Sequence, residues 1–147
     1  MIKIYLDVCC LNRPFDDQTQ SRIRLESEAV LAILAQCEIG QWVWVSSEVV
    51  NAEIIRTPDP ERRRRVHTLT AYAHHSVTVG NSESRRAQEI ETLGIAAYDA
   101  LHLACAESEH VDIFLTTDDR LLRRSVALND RLRVRVENPL VWLREVD

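Results

Sequence analysis

Glycine is nearly missing from this chain: Gly40, Gly80 and Gly94 are the only ones. Phosphate-cradling Walker loops and dinucleotide-binding loops need several glycines close together, so both are excluded in their usual form. Lysine is scarcer still. Lys3 stands alone, at the wrong end of its strand for the lysine that a phosphoaspartate receiver sets beside its acid. No serine lies in a nucleophile-elbow context, and His67, His74, His75, His102 and His110 lack metal-protease spacing. Cys9, Cys10, Cys37 and Cys105 show no zinc-site pairing and are too few for a disulfide scaffold, so reduced and mostly buried thiols are expected. No apolar run reaches membrane-spanning length, and the opening residues lack the pattern of a secretory leader. The expectation is a soluble cytoplasmic protein.

What is present suffices for one core. With 147 residues, 46% of them apolar, a single domain over residues 1–147 is expected. The net charge of −5 excludes a protein that coats nucleic acid by bulk electrostatics. It leaves room for a site where carboxylates hold a metal while arginines contact phosphate. Apart from Lys3 every cation is an arginine, the side chain suited to bidentate contacts.

Hydrophobic patterning alternates strands with helices. "IKIYLD" (Ile2–Asp7) reads as a strand, and after a polar loop a helix follows from about Ser21 to Cys37 with an apolar stripe of Ile23, Val30, Leu31 and Leu34. "QWVWVSS" (Gln41–Ser47) is a second strand, and Ser47 caps a short helix. Asp59, Pro60 and Glu61 open the next helix, since an acid before a proline is a recognisable start. Strands at Ser76–Gly80, Val111–Thr117 and 133–137 alternate with helices at 82–94, 95–110, 118–129 and 138–146. Such alternation implies an α/β fold of three layers, with a parallel sheet of about five short strands.

Open parallel sheets form their sites beyond the carboxyl ends of the strands. Asp7 and Asp118 both stand at such ends. Asp99 interrupts the apolar face of "IAAYDALHLA", and Glu53 follows Val49 and Val50 in the same way. Ionised carboxylates near a core are costly unless paired or bound to a cation. Each has a plain alternative: Asp118 as a helix cap, Glu53 paired with Arg56, Asp99 paired with an arginine, and Asp7 as a turn residue with no local cap to make. His102, one turn after Asp99, is within reach of a site there, although a structural role is the expected one. Arg62 to Arg65 read as a solvated helix face, whereas Arg120, Arg123 and Arg124 follow Asp118 closely.

"IYLDVCCLN", "SSEVVNAEI", "AAYDALHLACA" and "FLTTDDRLL", in that order over nearly the whole chain, resemble the PIN-domain family of nucleases, including the bacterial VapC-type toxins. The resemblance implies a metal-dependent endoribonuclease with Asp7, Glu53, Asp99 and Asp118 as catalytic acids. Asp7, Asp99 and Asp118 would hold Mg²⁺ or Mn²⁺. Glu48 competes with Glu53 for the second motif, and Asp119 is a candidate accessory to Asp118. Thr116 or Thr117 is expected to support the site by a hydroxyl bond, with Asn12, Arg13, Thr116 and Arg120 facing substrate RNA. The family further implies a small antitoxin partner and a homodimer, to whose interface Trp42, Trp44 and Trp142 are candidates, although core packing is the commoner role. The alternative is a non-catalytic PIN-like module that binds RNA or protein.

Overall fold

The computed structural model describes residues 1–147. Five strands, β1 (Lys3–Leu6), β2 (Val43–Ser47), β3 (His75–Val77), β4 (Ile113–Leu115) and β5 (Arg135–Glu137), form one sheet. Their order is β3-β2-β1-β4-β5, and every neighbouring pair is parallel. Eight helices connect them: α1 (Val8–Asn12), α2 (Ser21–Glu38), α3 (Glu48–Ile55), α4 (Pro60–Thr70), α5 (Asn81–Thr92), α6 (Ala97–Ser108), α7 (Asp119–Ala127) and α8 (Pro139–Val146). The expected α/β architecture with a parallel five-stranded sheet is what the chain adopts.

The strands are shorter than their apolar runs because pairing stops where the chain turns into a helix. Ile4, Tyr5 and Leu6 pair with Ile113, Phe114 and Leu115, and all six are buried. From β1 the chain builds outward to β2 and β3, then crosses back to β4 on the opposite side. The sheet therefore changes direction at β1, and a crevice opens beyond the carboxyl ends of β1 and β4, where ligands bind in such sheets.

Two local expectations need correction. The segment after Asp7 is not a loop: α1 begins at once, followed by a 3-10 turn at Arg13–Phe15. The stripe expected on α2 is also rotated. Leu31 is exposed, while the helix buries Glu26, Ser27, Ala29, Val30, Ile33 and Cys37. The reason is Glu26, which accepts from Arg13 Nε at 2.8 Å, Arg22 Nε at 3.3 Å and Asn138 Nδ2 at 2.6 Å. A satisfied buried acid thus takes a place on the inner face that periodicity gives to an apolar residue.

The caps at Ser47 and Asp59 form as expected. All four cysteines are free thiols. Trp44 and Trp142 are buried, and Trp42 lies 4.9 Å from Trp142, centroid to centroid, in accordance with core packing. No helix is long and apolar enough to cross a membrane.

Candidate metal centre

β1 delivers Asp7 to the crevice. Its backbone stays extended, and its N–H donates to the Leu115 carbonyl at 3.0 Å, so the residue remains tied to β4 after the strand has ended. One carboxylate oxygen accepts from Val8 N at 2.8 Å and caps α1. Asp7 does make a local cap, contrary to expectation, because a helix follows it directly. The other oxygen accepts from the Thr116 hydroxyl at 2.9 Å and from the Cys9 thiol at 3.4 Å. Thr116 in turn accepts from Asp118 N at 3.1 Å, linking the two strand-end acids through one hydroxyl.

Asp118 both caps α7, accepting from Arg120 N at 2.9 Å and Leu121 N at 3.4 Å, and faces the crevice. The capping role and the site role are compatible, since each carboxylate has more than one acceptor position. Asp99, in the first turn of α6, shares a cleft of about 310 Å³ with Asp118, Gly94, Arg120 and Arg124. Burial raises the Asp99 carboxyl to about 6, and the charges of Asp7 and Asp118 push the same way. Burial also raises Asp7, partly opposed by His102 and by the Thr116 bond.

Glu53, late in α3, does not pair with Arg56, whose guanidinium lies 5.3 Å from the centre of the Tyr98 ring. It meets His102 instead, Oε1 to Nε2, at 2.7 Å. His102 Nε2 also stands 3.9 Å from Asp7 Oδ1. Asp7, Glu53 and His102 each offer a ligand atom within 4.8 Å of the others. His102, expected to be structural, therefore belongs to this cluster. Its distance from Asp99 along the helix was the available signal; its contacts with Tyr5 and Glu53 bridge long stretches of sequence. Burial lowers its basicity, but the Glu53 bond and the charges of Asp7 and Glu53 outweigh that and raise it.

The other candidates are placed less centrally. Glu48 accepts from Val79 N at 2.6 Å, and Asp119 forms a two-pronged pair with Arg22 at 2.7 Å for each contact. Arg13 bonds to Glu26 and to Asp16, the latter at 3.2 Å. Asn12 donates to the Val8 carbonyl and accepts from Arg62. Both thus sit in a network of the protein's own groups. Arg62 is held by Asp16 at 2.6 Å, whereas Arg64 remains a solvated residue. Arg120 is exposed at the rim of the Asp99 cleft.

Two carboxylates and one imidazole from three separate segments thus offer their atoms together, and Thr116 links Asp7 to Asp118 at the adjoining Asp99 cleft. Burial, with the charges of neighbouring acids behind it, raises Asp7 and Asp99, two groups that a divalent cation would hold ionised. Such a set fits a hard divalent cation.

A family model described as PIN domain matches residues 4–127. No curated protein matches the sequence significantly. Among solved structures, FitAcB from Neisseria gonorrhoeae superposes with a TM-score of 0.62 at 17% identity, covering 92% of this chain and 97% of that one. VapBC2 from Rickettsia felis, bound to a DNA fragment from their promoter, gives 0.62 at 13% identity, covering 93% and 98%. VapBC-1 from nontypeable Haemophilus influenzae gives 0.60 at 16%, covering 94% and 98%. At these identities the likeness is one of fold.

Proposed function

The chain belongs to the PIN-domain family, and from that premise we propose that it is a divalent-metal-dependent endoribonuclease acting as one domain over residues 1–147. The observation that carries this reading is the cluster of Asp7, Glu53 and His102, whose ligand atoms lie within 4.8 Å of one another, with Asp7 linked through Thr116 to Asp118, which shares a cleft with Asp99. Asp7, Asp99 and Asp118 would hold Mg²⁺ or Mn²⁺. The ion, when bound, would lower the pKa of a water molecule and offset charge on the attacked phosphate.

The chain's own groups supply the rest. Thr116 holds Asp7 through its hydroxyl bond, and Glu53 would orient the attacking water. Arg120 and Arg124 stand at the mouth of the Asp99 cleft, where a guanidinium can take a phosphate oxygen pair and offset the negative potential of the site. Arg13, tied to Glu26 and Asp16, would contribute to substrate binding only by positive potential, together with Asn12.

The same reading makes the chain the toxin of a toxin-antitoxin pair: a cytoplasmic homodimer held inactive by a small antitoxin protein. Support comes from its likeness in fold to FitAcB, VapBC2 and VapBC-1. The test is cleavage of a labelled RNA with Mg²⁺, with Mn²⁺ and with EDTA, beside an Asp7→Asn variant. Cleavage is expected only with an ion present and is expected to fall to background in the variant. Cleavage that persists in EDTA and in Asp7→Asn would overturn the proposal.

A further inference from the structure

His102 occupies an unusual position, fully buried with both ring nitrogens engaged. Its Nδ1 lies 2.6 Å from the Tyr5 hydroxyl, and that hydroxyl lies 2.7 Å from Ser47 Oγ. Ser47 Oγ in turn accepts from Val50 N at 3.3 Å, as the cap of α3. On its other side the ring meets Glu53 at 2.7 Å. Ser47 and Glu53 stand near the two ends of α3, so the Tyr5–His102 pair spans that helix from outside it.

The direction of the last bond follows from chemistry. An ionised carboxylate only accepts, so Nε2–H must donate to Glu53 whether the ring is neutral or charged. With a neutral ring, Nδ1 accepts from Tyr5 and Ser47 donates to Tyr5. With a charged ring, Nδ1–H donates to Tyr5 and the Tyr5–Ser47 bond reverses. The contact with Glu53 survives both states.

The ring itself has little freedom. Tyr5 is stacked on Phe114 at 5.1 Å and holds the imidazole edge-on at 5.7 Å. Glu53, by contrast, keeps 29% of its side chain exposed, and no other side chain bonds its carboxylate. A long, part-exposed carboxylate samples several rotamers unless something fixes it.

We propose that His102 is a positioning residue that holds the Glu53 carboxylate toward Asp7 by a bond from Nε2–H, anchored to the core through Tyr5. This rests on the reading of the crevice as a nuclease metal centre. It assigns the ring a task distinct from that of the acids: His102 sets where Glu53 points and does not itself bind the ion.

The test compares His102→Gln with His102→Asn in the full chain. A glutamine can carry its amide nitrogen to about the place of Nε2. An asparagine reaches Tyr5 but falls short of Glu53. Thermal unfolding first verifies that each variant is folded. Three readouts follow: RNA cleavage with separate kcat and KM, Mn²⁺ affinity by calorimetry, and nitrogen hyperfine coupling in the spin-resonance spectrum of bound Mn²⁺. Expected is a loss of roughly 10-fold or more in kcat for His102→Asn with KM within about 3-fold, recovery of most of that loss in His102→Gln, and no imidazole coupling in the wild-type spectrum. In a Glu53→Gln background the two His102 variants should be indistinguishable.

Equal kcat in both variants and the wild type would overturn the proposal, as would a coordinated imidazole nitrogen. If the wild type cleaves no RNA, the nuclease reading fails by itself. The orientation of Glu53 in crystal structures of the three proteins then decides the role of His102, with an unmoved carboxylate in His102→Asn counting against it. Should His102→Asn not fold, Tyr5→Phe takes its place. Loss of the anchor must then lower kcat without changing KM, and an unchanged kcat contradicts the proposal.

Discussion

Asp99 carries the clearest signature of an unsatisfied charge. Its carboxyl is raised to about 6 by burial and by Asp7 and Asp118, above the unfolded value of roughly 3.9. A raised acid binds its proton more tightly when folded. Its stabilising contribution is therefore full below the unfolded pKa and lost as pH rises through about 6. Asp7 and His102 are raised too, so all three act with the same sign. In EDTA the melting temperature should rise as pH falls from 7 to 5, and Asp99→Asn should flatten that profile while melting higher than the wild type at pH 7. Thermal scans across this range measure both. A profile that does not rise toward pH 5, or is unchanged by Asp99→Asn, would remove the crowding of charge from the explanation. The acids were legible in the sequence because each breaks an apolar pattern or stands at a strand end. His102 was not, because its meaning lies in partners 97 and 49 residues away in the chain.

Elements place these residues, and their ends matter more than their middles. α1 caps on Asp7 and α7 caps on Asp118, so the acids that face the crevice also fix where two helices begin. Gly94, between α5 and α6, has φ +98°, and a Cβ there would stand 2.9 Å from an Arg124 guanidinium nitrogen. Gly94→Ala should cost about 1–2 kcal/mol in urea unfolding, through the left-handed backbone and the displaced arginine. Glu26→Ala leaves Arg13 Nε and Asn138 Nδ2 without their acceptor and should cost roughly 2–3 kcal/mol, less than a sealed ion pair because Arg13 keeps Asp16 and Arg22 is half exposed. A change of under ~0.5 kcal/mol in the same denaturation series would show that the network contributes little. Helix and strand types were readable from periodicity, capping residues and the run of β-branched positions. α1 was not, being five residues with a buried face made by tertiary contact. The rotation of α2 was equally hidden, since no local rule turns a glutamate inward toward an arginine from another segment.

At the scale of the whole molecule, topology does what no motif does alone. Because β1 lies between β2 and β4, the ends of β1 and β4 adjoin, and α3 and α6 bring Glu53 and His102 together beside Asp7. A chain of net charge −5 thereby concentrates acid at one point, while arginines such as Arg120 and Arg124 rim it. The parallel order was inferable from alternating elements; the switch at β1 was not, since sequence order does not specify strand order. The central claim is that these acids act jointly on one divalent cation. Calorimetric titration of the metal-free protein with Mn²⁺, beside Asp7→Asn and Asp99→Asn, tests it most directly. Joint action predicts saturable binding at pH 7.5 that weakens below pH 6 and falls at least ~10-fold in each variant. Absence of binding, or the same affinity in all three proteins, would contradict it.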